Sequence, residues 1–209
     1  MTRRIFVLSP ASCSGERARL LLREQARFEL ALRVRETPGA PLGEVFSFLS
    51  GLYFRGKLEY ARRFARPAEG VLVITPCAGL RPADERIRRR TLLRFARVAI
   101  DGADERYRAP FERDARRLAS SAGSDSEIVL LGSIATGKYV DTLLSVFGER
   151  LLFPIDFVGR GDMSRGGLLL RAVREGRELG YASVGTAVRH GPRPPKLPRL
   201  LRAPQERGA

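Results

Sequence analysis

The residues of this chain that can do chemistry gather at a few junctions where an apolar run gives way to a small-residue loop. The richest is Asp156-Phe157-Val158-Gly159-Arg160-Gly161-Asp162-Met163-Ser164-Arg165-Gly166-Gly167. It sets two carboxylates, two arginines and a serine beside flexible backbone. Asp162 has the chemistry of a general acid or base, or of a group that holds a ligand's N–H donors, and is the leading catalytic candidate. Arg160 and Arg165 carry forked donors that match phosphate oxygens, and Ser164 is placed to cap the following helix. Gly161, Ser164 and Arg165 are the ligand-binding candidates of this loop. The same residues also fit a charged surface loop with helix-capping chemistry.

A second junction is Gly132-Ser133-Ile134-Ala135-Thr136-Gly137-Lys138-Tyr139, which fits G-x-x-x-x-G-K. A phosphate-binding loop then needs Ser or Thr, whose short hydroxyl holds Mg²⁺, and Tyr139 puts its hydroxyl too far out. The run also comes late in the chain and has no convincing acidic partner strand. The weaker reading keeps Gly132, Ser133, Gly137 and Lys138 as an anion cradle of backbone N–H groups and one ammonium at a helix start. A tight turn with a solvated lysine is the alternative.

At Ser12-Cys13-Ser14, just past the first apolar run, a cysteine stands between two hydroxyls before a helix start. That setting predicts a lowered thiol pKa and makes Cys13 a nucleophile candidate, with Ser12 and Ser14 beside it as ligand donors. His190 is the only histidine and falls in the tail, which argues against a Cys-His or Ser-His hydrolase. The competing reading is a small residue packed at a strand end. Thr75 and Gly79 belong to a similar loop, Thr75 to Pro82. Along Leu52 to Ala61, aromatics alternate with cations: Tyr53 or Phe54 can stack a base while Arg55 and Lys57 meet phosphate. Core aromatics with solvated cations fit that run as well.

The elements that must position these groups follow from hydrophobic patterning. Ile5–Leu8 and Gly70–Thr75 are continuous apolar runs, as in strands buried on both faces. Glu127–Leu131, Leu151–Phe153 and Tyr181–Val184 are further strands, and Val98–Ile100 is a short edge strand. Helices are predicted from near Glu16, over residues 24 to 35, over 42 to 66 with a break near Gly51, over 91 to 97, and over 110 to 120. Two more run over 136 to 147, where Val140, Leu143, Leu144 and Phe147 share one face, and over 164 to 175. Alternation of strands and helices predicts an α/β fold, a three-layer sandwich with a mostly parallel central sheet. Ligands in such folds bind at the carboxyl ends of the strands.

Composition bounds the rest. With 209 residues and 44% apolar residues, residues 1–188 are expected to form one α/β domain, followed by a basic Pro/Arg-rich tail over 189–209. No apolar run approaches the ~18 residues of a membrane span, and the apolar stretch after Arg4 is too short for a signal peptide, so the expectation is a cytoplasmic protein without membrane contact. Two cysteines make neither a disulfide framework nor a four-ligand zinc site, and no metal or cofactor is expected. Net charge is +15, almost all from arginine, since Lys57, Lys138 and Lys196 are the only lysines. The tail holds six basic residues against Glu206, so it carries +5 and the body +10. A body so basic points to an anionic partner, a nucleotide or nucleic acid. Arginine-rich usage from a GC-rich genome is the bland explanation.

The order of several short motifs resembles that of the YaaA-like proteins, related domains and the central domain of archaeosine synthase, all of uracil-DNA-glycosylase-like α/β architecture. The matching residues are Ser12-Cys13-Ser14, Leu52-Tyr53 with Phe54, Tyr60-Ala61, Ile74-Thr75-Pro76, Gly79-Leu80-Arg81-Pro82 and Tyr107. They cover roughly the first half of the chain. The resemblance implies a nucleobase or nucleic-acid context and leaves the reaction open. The expected function is therefore binding of a nucleobase, nucleotide or nucleic acid at the strand ends, in nucleic-acid modification or repair. A non-catalytic nucleic-acid-binding module and a P-loop-like nucleotide hydrolase are the alternatives.

Overall fold

The computed structural model describes residues 3–189 and 191–197. A six-stranded sheet runs through its centre in the order β4-β3-β1-β6-β7-β8. The four inner strands, β3 (Val71–Ile74), β1 (Arg4–Leu8), β6 (Glu127–Leu131) and β7 (Leu151–Pro154), are parallel. Both edges are antiparallel: β4 (Leu80–Pro82) pairs with β3, and β8 (Tyr181–Ser183) with β7. Phe6 sits at the middle of the ladder, opposite Val71 on one side and Val129 on the other. Phe6, Val7, Leu8 and Ile128 to Leu131 are wholly buried, as the unbroken apolar runs require of strands covered on both faces. A separate short ladder joins β2 (Ala40–Pro41) to β5 (Arg86–Ile87).

Among the described residues eight α-helices cover the sheet, making the three-layer α/β sandwich with a mostly parallel sheet. They are α1 (Glu16–Leu22), α2 (Glu29–Arg35), α3 (Leu42–Ser50), α4 (Leu52–Phe64), α5 (Arg89–Phe95), α6 (Glu105–Ala122), α7 (Gly137–Phe147) and α8 (Asp162–Glu175). Helix α4 packs most closely against α8, and α6 against α7. Right-handed crossovers place α4 on one face and α6 and α7 on the other, and α8 joins α4 by packing against it. The chain leaves β1 toward β3 on one side and β6 toward β7 on the other. The switch point, where adjacent strand ends open a crevice, therefore lies between β1 and β6.

Local chemistry explains most boundaries. Gly51, at φ +66°, separates α3 from α4, in a left-handed conformation that a side chain would disfavour. Helix α6 starts five residues before the expected Pro110. Asp104 caps it by accepting from the Arg106 N–H, and Pro110 in the second turn removes only one backbone donor. Helix α2 is shorter than expected, because residues 23 to 28 turn back on themselves, with the Ala26 N–H donating to the Arg23 carbonyl. Val98–Ile100 is not an edge strand but an irregular turn after α5. Part of the expected 76–82 loop is strand β4, whose Leu80 pairs with Ile74. Helix α8 begins at Asp162, so Ser164 lies inside its first turn and Gly161 holds the capping position. Among the described residues no helix is long and apolar enough to cross a membrane.

Candidate functional site

A cavity of about 490 Å³ opens at the β1–β6 switch point. The loop after β1 supplies Ser9 to Ser14, and the loop after β6 supplies Ser133. Tyr53 and Lys57 come from α4, Lys138 and Tyr139 from α7, and Asp162 from the start of α8. The end of α5 and the turn after it add the apolar wall of Phe95, Val98 and Ile100. Of the expected site residues, the fold thus brings together Ser12, Cys13, Ser14, Tyr53, Lys57, Ser133, Lys138 and Asp162.

Lys57 is the most unusual of them. Its side chain is 1% exposed. The ammonium donates to the Ser9 carbonyl at 2.7 Å and meets the Ser9 Oγ at 2.8 Å. It also lies 4.6 Å from the ring centroids of both Tyr53 and Phe54, a cation–π arrangement that compensates part of the lost hydration. Burial nevertheless pushes its pKa down to about 7, opposed by the attraction of Asp162 and helped by the repulsion of Arg165. Lys57 is therefore not an exposed phosphate contact. It is a desolvated amine that exchanges a proton near neutrality.

Ser9 ends β1, and its N–H continues the ladder to the Leu131 carbonyl at 3.1 Å. Its Oγ faces Lys57 on one side, and its side chain interacts with the Tyr139 hydroxyl on the other. Tyr139 turns back under the β6 loop, where its hydroxyl accepts the Ser133 N–H at 3.1 Å. Burial raises its pKa. Gly132 makes this packing possible, since a Cβ there would stand 2.8 Å from the Ser9 Cβ and 3.1 Å from the Tyr139 hydroxyl. The residue that spoils the phosphate-loop pattern thus belongs to the site through a different bond. The Tyr53 hydroxyl is buried without a hydrogen-bond partner among the described residues. Burial raises its pKa, and the nearby positive charge of Arg165 lowers it in part.

Several expected residues have other duties. Burial, with a smaller contribution from Cys77, pushes the Cys13 thiol up to about 12, so the predicted lowering is reversed and Cys13 is no thiolate nucleophile. Its Sγ sits 3.6 Å from the Ala11 carbonyl. Thr75 and Gly79 close the turn into β4: the Thr75 hydroxyl donates to the Gly79 carbonyl and accepts the Ala78 N–H. Neither lines the cavity. Gly137 begins α7, where Asp141 fills the space a Cβ would need. Arg165 donates to the Phe157 carbonyl through Nε and Nη2 and pairs with Asp162 at 3.6 Å, so it pins the turn before α8 instead of gripping phosphate. Arg160 likewise holds the Asp156 carbonyl and the Ser164 hydroxyl. Gly161 and Ser164 face a second cleft of about 450 Å³ between α8 and residues 193 to 197. Phe54 is buried against Phe46 and cannot stack a base. His190 lies outside the described residues.

Asp162 lines the cavity with its side chain 69% exposed. Among the described residues, no group of three or more His, Cys, Asp or Glu side chains could hold a metal ion. The sequence pattern missed Ser9 and the wall of Phe95, Val98 and Ile100. Ser9 read as a strand terminator, and its meeting with Lys57 spans 48 positions of chain. No protein-family model, curated protein or solved structure matches the chain. The chemistry of the site rests on its own residues.

Proposed function

We propose that this protein binds a nucleotide, or a nucleotide unit of a nucleic acid, in the cavity between β1 and β6. The carrying observation is the cavity itself. Its volume of about 490 Å³ suits a small organic ligand, and it lies at the switch point of the sheet. The apolar wall of Phe95, Val98 and Ile100 offers a face for a base. Lys138 and the hydroxyls of Ser12, Ser14 and Ser133 offer donors for phosphate oxygens. The chain's net charge of +15 favours anionic ligands over neutral ones. The amine of Lys57 and the carboxylate of Asp162 make the pocket suited to proton transfer on whatever it holds.

Calorimetric titration with the four common ribonucleoside monophosphates and with a short single-stranded oligonucleotide tests the reading. Saturable binding is expected for at least one of them. Lys138→Ala is expected to weaken it about tenfold or more, the range of a lost charge-assisted hydrogen bond. Absence of binding to every one of these ligands overturns the proposal.

A further inference from the structure

We propose that Ser9 and Lys57 form a nucleophile–base dyad that cleaves carboxylic esters, with Ser9 Oγ attacking the acyl carbon and Lys57 Nζ carrying the proton. This goes beyond ligand binding and does not depend on the ligand being a nucleotide.

Three independent observations support it. Ser9 Oγ and Lys57 Nζ are 2.8 Å apart, within reach for direct proton transfer. Both residues line the cavity, and Ser9, 7% exposed, is more accessible than Lys57, 1% exposed. A nucleophile must reach substrate, but its base need only reach the nucleophile. Finally, Lys57 is one of three lysines among 38 basic residues. Arginine stays charged at any physiological pH and cannot act as a base, whereas a buried lysine can. The charged and titratable neighbours are Asp162 and Arg165 from α8, Tyr53 on α4 itself, and Tyr139 from α7 across Ser9. Burial, opposed by Asp162 and helped by Arg165, leaves the amine able to lose its proton near pH 7.

The neutral amine accepts the Ser9 hydroxyl proton while Oγ bonds to the acyl carbon. The tetrahedral intermediate then breaks its C–O bond to the leaving alcohol, which departs with the proton returned from Lys57. Water attacks acyl-Ser9 with Lys57 again taking a proton, and the acid leaves as Ser9 regains its hydrogen. Ester and water become acid and alcohol. The N–H groups of Ala11, Ser12, Cys13 and Ser14 donate to no backbone carbonyl among the described residues, and all four residues line the cavity. Such uncharged donors match the single oxyanion of acyl transfer.

The test uses the full chain and a fluorophosphonate probe, which loses fluoride as an activated serine oxygen bonds to phosphorus. Peptide mapping by mass spectrometry locates the adduct, and the labelling rate is followed against pH. One adduct is expected, on Ser9, with a rate that climbs through a midpoint near pH 7 to a plateau. Ser9→Ala should abolish it, and Lys57→Met should slow it about 100-fold or more. No adduct, an adduct on another serine, or labelling of Lys57→Met at the unaltered rate overturns the dyad. Should Lys57→Met fail to fold, the pH midpoint of the unaltered chain decides: a rate flat between pH 6 and 8 overturns it equally. Failure of nucleotide binding leaves this experiment untouched.

Discussion

At the scale of single residues, the chemistry concentrates where the chain departs from its own habits. It meets almost every demand for positive charge with arginine, yet two of its three lysines, Lys57 and Lys138, line one cavity. For Lys57 the departure has a thermodynamic cost that can be measured. Its folded pKa, about 7, lies below the ordinary value of 10.5 that the unfolded chain keeps. Between those values the unfolded state binds more protons, so stability attributable to this group rises with pH from about 7 to about 10.5 and the penalty is full below pH 7. Lys57→Met removes the titration while keeping the volume. Denaturant unfolding across that range is expected to find the variant's stability advantage over the parent shrinking by up to about 1.4 kcal/mol per pH unit as pH rises. A constant difference would show that Lys57 is not desolvated in solution. Much of the site was legible from residue type alone: Ser12, Ser14, Ser133, Lys138 and Asp162 are polar groups at strand ends, and strand ends are where α/β sites form. The dyad was not legible. Ser9 and Lys57 are brought together by tertiary packing, and the burial that changes the lysine's chemistry leaves no local pattern. Cys13 shows the same limit in reverse. Hydroxyl neighbours and a nearby helix start suggested a reactive thiol, and burial makes it inert.

At the scale of elements, the position of Lys57 depends on how two helices cross. Helices α4 and α8 meet backbone to backbone. A Cβ on Gly56 would stand 2.8 Å from the Gly166 carbonyl oxygen, and one on Gly166 would stand 2.9 Å from the Leu52 carbonyl oxygen. Neither obstacle is a side chain that can swing away. Lys57 follows Gly56 directly, and Asp162 opens α8, so this contact sets the spacing of amine and carboxylate. Gly56→Ala and Gly166→Ala are each expected to lower stability by about 1–3 kcal/mol, the usual cost of overpacking. Because either one forces the same pair of helices apart, the double variant should lose clearly less than the sum of the single losses. Strict additivity in thermal or denaturant unfolding would mean that the two glycines do not share one contact. The elements themselves were readable in sequence because each carries its own period: unbroken apolar runs for the inner strands, one-sided apolar faces for α4 and α7. Strand β4 was not readable. It is three residues long and follows a Gly79 turn at φ +68°, so it borrows its extended form from pairing with β3. The α4–α8 contact was equally hidden, since Gly56 and Gly166 look like ordinary helix-weakening residues until their surroundings are known.

At the scale of the whole molecule, charge and the end of the chain bear on one question: whether a polyanion binds along the surface as well as in the cavity. Residues 191–197 run beside α8. The Pro195 carbonyl accepts from Arg160 at 3.2 Å, Gly159 packs against the Pro192 carbonyl, and Leu197 reaches Gly167. The segment from Arg189 onward holds six basic residues and one acidic, a third of the net charge in a tenth of the length. Among the described residues of this segment, 189 and 191–197, none lines the β1–β6 cavity. Deleting residues 189–209 therefore separates two modes of binding. Single-stranded DNA affinity, measured against salt concentration, should fall, and its logarithmic salt slope should lessen by between about 0.7 and 3.5, for one to five cations no longer neutralising phosphate at about 0.7 each. Affinity for a mononucleotide in the cavity should stay within about twofold of the full chain, since long-range attraction between exposed charges is screened beyond about 8–10 Å at ordinary salt. An unchanged DNA slope would move the phosphate contacts to the arginines of the body and leave the tail's charge without a role in binding.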